Sequence, residues 1–339
     1  MTSGAAALNV DINVEDEIVI AAQGSFYIAQ MLAFEVCQRV GVLERQDLKK
    51  HIEVSFQSVS ADVQERLAQV FRGRCEKFCR GTRNRKEGRA PYLHILRWLA
   101  EGKEWTLSLR DAIRQHPDMR GSVGQVVDQG YLQTLITSDP AISQVIHYDV
   151  RAEQITVEDP QFIFFIRNIP WKQFAHDLGF AGVDFENRYD FALSFAGEDR
   201  AVAEAIFKEL QDAESEVFYD KNEQHRILAV DIEEYLRPIY QSEARFVVAL
   251  LSQHYPKKIW TKIESDQFKE RFRTGDVVPI WFSDTTPSMF DESRKVGGLT
   301  FDISLPLKQE AERIASVLLR RLAESRQPTT ALQLHLPNA

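Results

Sequence analysis

The sequence predicts two parts: a C-terminal α/β fold, built as a five-stranded parallel sheet wound on both faces by helices, and before it a mostly helical domain with a winged helix. Three observations carry this. From Asp190 onward, short apolar runs alternate with amphipathic stretches, the pattern of a doubly wound sheet. Before Asp190 most apolar residues recur at helical spacing. Between Val145 and Phe162 they alternate instead, as in a hairpin. A chain of 339 residues exceeds one ordinary core, and its 44% hydrophobic and 27% charged residues describe a folded protein.

Val14 to Leu43 is helical in pattern, with Ile18, Ile20, Phe26, Ile28, Met31, Leu32, Val36 and Val40 on a broad apolar face. Gly24 and Ser25 interrupt it, and Ser25 is placed to cap a second helix. Another helix fits Ala61 to Phe78, burying Val63, Leu67, Val70 and Phe71. The stretch RGRCEKFCRGTRNRKEGR, Arg72 to Arg89, sets eight basic residues against two acidic ones. It reads either as a solvated helix end and linker or as a phosphate-binding patch for nucleic acid or a nucleotide. Tyr92 to Leu99, Ser108 to Arg114 and Val123 to Leu135 read as three short helices. VIHYDVRAEQITVEDPQF (145–162) follows as a hairpin, with Val145, Tyr148 and Val150 in one arm and Ile155 and Val157 in the other. Three helices and a two-stranded wing are the layout of a winged helix. Trp171 to Asn187 reads as a connector. The expected division is a helical region 1–90, a winged-helix-like domain 91–175, a linker 176–188, the α/β domain 189–325 and a tail 326–339.

In the α/β part, Phe191 to Phe195 suits a buried parallel strand, and Arg200 to Ala213 a helix with Val202, Ile206 and Leu210 inward. Ser215 to Tyr219 is the second strand and Asp231 to Ala244 the second helix. Arg245 to Ser252 is the most hydrophobic strand, hence the expected sheet centre. Lys257 to Phe272 is the third helix, Asp276 to Phe282 the fourth strand and Gly298 to Ile303 the fifth. The last helix runs from Lys308 to about Ala323, with Ile314, Val317, Leu318 and Leu322 inward. Ligands of such sheets bind beyond the carboxyl ends of the strands, where the strand order reverses. Those ends carry the polar segments AGEDR (196–200), DKNEQHRILAV (220–230) and QHYPKKIW (253–260). Glu264 lies four residues beyond Trp260, on the same helix face and close to that rim.

Four segments, YDFALSFAGEDR, VFYDKNEQHRILAVDIEEYLRPIY, ARFVVALLSQHYPKKIWTKIE and VVPIWFSDT, together resemble bacterial TIR (Toll/interleukin-1 receptor) domains, in order and at normal spacing. The resemblance implies a flavodoxin-like sheet and cleavage of NAD⁺. In catalytic members the essential residue is a glutamate four residues after a tryptophan, an arrangement matched by Trp260 and Glu264. By the same resemblance Phe195, Ala196 and Gly197 border the NAD⁺ pocket. The second loop, from Asp220 to Asp231, covers that pocket and contacts a neighbouring subunit. Leu228 and Ala229 stand where many bacterial relatives have Trp-Gly, which removes backbone freedom and a stacking surface from that loop. The expected binding residues are therefore Phe195, Ala196, Gly197, Asp220, Leu228, Ala229 and Trp260, with Glu264 catalytic. In the N-terminal half, AAQGSFYIAQML resembles the helical lid, and DPQFIFFIRNI the closing stretch of the winged helix, of bacterial STAND and AAA-type ATPases. The chain contains no GxxxxGK[ST] phosphate loop, so no ATP hydrolysis is expected.

The chemistry needs one well-placed carboxylate. Breaking the ribose–nicotinamide bond develops oxocarbenium character on the sugar, and the pyridinium leaving group needs no proton. Glu264 would hold the ribose hydroxyls and stabilise the developing charge, while Trp260 or Phe195 could stack on a ring of the dinucleotide. The products are ADP-ribose or a cyclic isomer, which the sequence leaves open. The competing structural reading makes Glu264 a solvated helix residue paired with Lys257 or Lys269. NAD⁺ enters as substrate, so no cofactor is expected. The resemblance further implies self-association through the TIR domain, an activating ligand or protein at the N-terminal module, and a role in antiphage defence. Two other functions compete. A non-enzymatic adaptor is favoured by Leu228 and Ala229 and opposed by Trp260 and Glu264. A winged-helix DNA-binding regulator is favoured by Arg72–Arg89 but opposed by the scarcity of Lys and Arg between Gly121 and Leu132.

Composition removes further classes. The net charge of −9 argues against a protein that coats nucleic acid. Cys37, Cys75 and Cys79 form no ligand pattern with a second pair, so reduced thiols and no metal are expected. The N-terminus lacks the basic start and apolar core of a signal peptide, and no apolar run reaches membrane-spanning length. A cytoplasmic protein without a membrane partner is the expectation.

Overall fold

The computed structural model describes residues 2–82, 88–180, 184–219, 238–255, 271, 274–285 and 297–326. The first part of the chain forms α1 (Thr2–Leu8), β1 (Val10–Ile12), α2 (Glu15–Ala22), α3 (Phe26–Arg39), β2 (Lys50–Ile52), α4 (Phe56–Arg80) and α5 (Pro91–Glu101). It continues through β3 (Thr106–Ser108), α6 (Leu109–Gln115), α7 (Arg120–Asp128), α8 (Tyr131–Ser138), α9 (Pro140–Ser143), β4 (His147–Asp149), β5 (Gln154–Thr156), α10 (Pro160–Arg167) and α11 (Trp171–Asp177). Then follow β6 (Tyr189–Ser194), α12 (Arg200–Asp212), β7 (Val217–Phe218), β8 (Ala244–Leu251), β9 (Val277–Phe282), β10 (Leu299–Phe301) and α13 (Leu307–Arg326). The chain divides into two compact units, one of residues 1–84, 92–112 and 129–174, the other of 85–91, 113–128 and 175–339.

The first unit is mostly helical. Ser25 caps α3 as its sequence suggests, its Oγ accepting the amide of Ile28. Along α4 the buried residues Val59, Val63, Leu67, Phe71 and Cys75 recur every fourth position, which keeps them on one face. Phe71 meets the rings of Phe162 and Phe165 at 5.4 and 6.0 Å. Three residues expected inside are exposed. Ile20 and Phe26 each stand two positions from a buried isoleucine, on the opposite side of their helices, and Val70 faces outward from α4. The expected hairpin is present as β4 and β5, and β3 adds to β5 antiparallel, giving the order β3-β5-β4.

Other differences from the sequence reading have local causes. The third short helix is two helices, because Gly130 takes a left-handed conformation (φ 69°) between α7 and α8. Phe162, read as hairpin, belongs to α10, which Asp159 caps by accepting the amides of Gln161 and Phe162, with Pro160 at its first turn. The connector after Trp171 opens with α11. Phe174 and Ala175 are buried there, and Gly179 follows the helix at φ 83°. Ala244, read as the end of a helix, already lies in β8. The third helix of the α/β part, Lys257 to Phe272, lies outside the described residues apart from Arg271.

In the second unit all five strands run parallel in the order β7-β6-β8-β9-β10. The most hydrophobic strand is central, as expected. Its successive residues face opposite sides and both sides are covered. Phe246, Val248 and Leu250 join the core under α12 and α13, where Ile206, Leu210, Ile314 and Leu318 pack, while Val317, expected inward, is exposed on the outer side of α13. Val247 packs with Tyr189 and Tyr240 on the other face, and Ala249 and Leu251 pack there with Tyr255.

Around Asp190, near the start of β6, lies a buried charge network that the sequence did not announce. Arg89 is fully buried and holds the Asp190 carboxylate through two donors, Nε at 3.0 Å and a terminal nitrogen at 2.8 Å. Arg326, at the last turn of α13, adds a third contact at 2.5 Å. The amide of Glu216 donates to the same carboxylate at 3.0 Å. Burial pushes the Asp190 carboxyl up, but Arg89, Arg326 and these hydrogen bonds outweigh it and hold it below the usual range. The carboxylate of Glu216 accepts the amides of Gly121 (2.7 Å) and Ser122 (3.0 Å) in the first turn of α7, where the helix dipole favours negative charge. The basic stretch Arg72–Arg89 thus ends in a core residue. Its other described cations are engaged too: Arg72 with Glu76, and Lys77 with Asp139.

Burial is the largest influence on Glu216 and pushes it up from 4.5 to about 7, against the pull of Arg89 and the two amides. A carboxyl with a raised folded pKa binds its proton more readily folded than unfolded. Its contribution to stability is therefore full below about 4.5 and is lost as pH rises through about 7. Urea unfolding of wild type and Glu216→Gln from pH 4.5 to 8 should show the wild type losing up to about 3 kcal/mol more than the variant across that window. Parallel pH dependences in the two proteins would contradict a buried, proton-binding Glu216.

Candidate active site

Strand order reverses once in this sheet. The chain goes from β6 out to β7, then returns to pair β8 on the other side of β6. Numbered along the sheet this is the order 2-1-3-4-5, whose ligand crevice lies beyond the carboxyl ends of the first and third strands. Here those ends are the loop after β6, Phe195 to Asp199, and the turn after β8, Ser252 to Tyr255.

The first loop forms because Ala196 is extended and the next three residues make a single 3-10 turn, with the Asp199 amide donating to the Ala196 carbonyl at 2.9 Å. Ala196 is buried, Phe195 half-buried and Gly197 exposed. A Cβ at Gly197 would meet no atom within 4 Å, so the backbone there opens on free space. Phe195 stacks on Tyr219 at 5.7 Å, and Tyr219 stacks on Phe207 at 4.9 Å. The guanidinium of Arg200 lies over the rings of Phe195 (5.3 Å) and Tyr219 (6.0 Å). This aromatic wall joins the end of β6 to the end of β7 and carries a cation.

Polar contacts cross from the first loop to the turn after β8. Ser194 Oγ and the Tyr255 hydroxyl are 2.6 Å apart and buried. Ser252 Oγ donates to Asp199 Oδ2 at 2.5 Å and accepts the His254 amide at 3.0 Å. Burial pushes the Asp199 carboxyl up, opposed by the Ser252 hydrogen bond and the nearby His254. Thr285, after β9, donates to the Leu251 carbonyl at 3.0 Å and braces the same turn.

Of the residues singled out in the sequence, Phe195, Ala196 and Gly197 stand together at the crevice. Asp220, Leu228, Ala229, Trp260 and Glu264 lie outside the described residues. Sequence reasoning passed over Ser194, Asp199, Tyr219, Ser252 and Tyr255. The available signal was polarity at the ends of apolar strands: Ser194 closes a strand that is buried throughout, and Ser252 follows the apolar run Phe246 to Leu251. Among the described residues no group of three or more His, Cys, Asp or Glu is arranged to hold a metal ion. Cys75 and Cys79 are buried, and burial raises both thiols, which keeps them protonated. No helix among the described residues is long and apolar enough to cross a membrane.

A family model described as the TIR domain matches residues 191–318. Over 100 residues the chain is 40% identical to 3′ cyclic ADP-D-ribose synthase AaTIR of Aquimarina amphilecti, a stretch covering 29% of this chain and 31% of that protein. The chain therefore spans about a third of the length of the curated relative it matches. The matched segment begins within β6 and ends in α13, so it takes in β6 from Phe191, the other four strands, the reversal of strand order and the loops after β6 and β8. Residues 191–318 are a TIR domain.

Proposed function

We propose that this TIR domain cleaves the bond between nicotinamide and ribose in NAD⁺, with Glu264 as the catalytic carboxylate. The observation that carries the reading is the loop at the reversal of strand order, open beside Gly197 and bordered by the half-buried ring of Phe195 with Arg200 over it. The half-buried Phe195 ring offers a dinucleotide an aromatic contact, and the open backbone at Gly197 lets it approach closely. Glu264 and Trp260 follow the turn after β8 in sequence, in the spacing that resembles catalytic TIR domains. The sugar gains positive charge as its bond to nicotinamide lengthens, and a fixed carboxylate favours that state over the ground state. The activity named for the Aquimarina relative favours a cyclic ADP-ribose over linear ADP-ribose as product.

On this reading the mostly helical first unit is the sensing part. The antiparallel sheet β3-β5-β4, in the same unit as α5 and α8, supports the wing of a winged helix within residues 91–175, while α7 belongs to the second unit. Activation by self-association, the second loop of one subunit completing the pocket of the next, and service in antiphage defence in the cytoplasm complete the proposal. The adaptor and DNA-regulator readings gain no observation. Among the described cations of the basic stretch, Arg72, Lys77, Arg80 and Arg89 are paired with carboxylates and Arg74 lies over the Phe71 ring, which disfavours a free phosphate-binding patch.

NAD⁺ consumption by wild type and Glu264→Ala at high protein concentration, with products separated by chromatography, tests the chemistry. Wild type should release nicotinamide, and the variant should be slower by about 100-fold or more. Equal turnover by both would remove Glu264 from the mechanism, and silence from both would favour an adaptor. Specific activity should also rise with protein concentration, in step with the mass measured by light scattering. A monomer turning NAD⁺ over at full rate would contradict activation by self-association.

A further inference from the structure

The end of β6 and the turn after β8 are cross-linked by contacts that packing alone does not require. Tyr255 is buried, and its ring sits among Ala249 and Leu251 with Trp281 beside them. A phenylalanine would satisfy that packing, whereas a buried hydroxyl is costly unless it finds a partner. The partner is Ser194 Oγ at 2.6 Å, and Ser194 is itself buried at the end of a strand whose other residues are fully covered. Beside this pair, the buried Asp199 carboxylate accepts from the neutral hydroxyl of Ser252. A buried carboxylate held by a hydroxyl contributes little to stability, and such arrangements gather where position matters more than stability. Both contacts bridge the same two segments, across the point where strand order reverses. Tyr255 is followed directly by the segment that contains Trp260 and Glu264.

We infer that Ser194 and Tyr255, supported by Asp199 and Ser252, are positioning residues for NAD⁺ cleavage: they fix the turn of Ser252 to Tyr255, which precedes Glu264 in the sequence, against the loop of Phe195 to Gly197. The inference rests on the proposed NAD⁺-cleaving activity. The Ser194–Tyr255 bond sets the separation of the two segments at the floor of the crevice, and the Asp199–Ser252 bond sets their orientation at its rim. Loss of the first leaves the loop of Phe195 to Gly197 in place but no longer ties the turn of Ser252 to Tyr255 to the end of β6. The chemical step then suffers more than substrate binding, because errors of an ångström in a reacting group are expensive in rate.

The test is a double-mutant cycle in the full chain with Ser194→Ala, Tyr255→Phe and the two combined, reading kcat and KM for NAD⁺ separately alongside thermal unfolding. Each single variant should lower kcat about 10-fold or more with KM within about twofold. The double variant should be no worse than the poorer single, since both remove one bond. Asp199→Asn, which keeps an oxygen to accept from Ser252, should retain more activity than Asp199→Ala. Unchanged kcat in the folded single variants, kcat losses that multiply in the double, or losses that only track the unfolded fraction would each overturn the inference. Wild-type turnover that Glu264→Ala abolishes is the control for the underlying reading. If wild type releases no nicotinamide, that reading fails first and this one falls with it.

Discussion

Asp190 is the constraint on which the α/β unit depends. It enters the sheet one residue after β6 begins, and three separate segments converge on its carboxylate: Arg89, Arg326 from the last helix, and the backbone of Glu216 before β7. Arg89 also donates to the carbonyls of Asp118 and Asn187 at 2.8 and 2.9 Å. Removing one member of such a buried pair leaves the other uncompensated, typically at a cost of about 3–5 kcal/mol. A network of this kind specifies register more than it adds stability. It admits β6, β7 and α13 in one arrangement and draws residues 88–89 and 118–122 into the same unit as the sheet.

The two ends of the sheet therefore do different work. The end where β6 and β7 begin carries paired charges beside a cavity lined by Arg89, Phe185, Asp190 and Arg326, with the Glu216 carboxyl capping α7. The end where β6 and β8 finish carries short hydroxyl contacts, a half-buried aromatic ring and an exposed glycine. Rigidity at one end and open, polar loops at the other are what a ligand crevice at a reversal of strand order requires. The chemistry proposed for Glu264 needs little else, since the leaving group already carries its charge.

Much of this was legible in the sequence. The strands were, because buried parallel strands are short, continuous apolar runs, and the run Ala244–Leu251 could only be central. Ser25 announced its cap, and the resemblance to TIR domains singled out Phe195 to Gly197, which the structure places after β6 at the reversal of strand order. Helix boundaries were less legible where one residue decides them: Gly130 splits a helix whose apolar periodicity runs through it, and Asp159 with Pro160 turns an apparent strand end into α10. The pairing of Arg89 with Asp190 could not be read, because the two are far apart in the chain and a basic run looks the same whether its last arginine is solvated or buried. Ser194 and Tyr255 escaped for a related reason. A hydroxyl at a strand end declares a purpose only once its partner is known.

The most direct test of where NAD⁺ binds is amide hydrogen exchange on Glu264→Ala, which should hold substrate without consuming it, in the absence and presence of saturating NAD⁺. Binding at the reversal of strand order predicts added protection in residues 194–199 and 252–255 and none around Phe185 and Arg89 at the opposite end of the sheet. Protection confined to that opposite end, or absent altogether at saturation, would contradict the account.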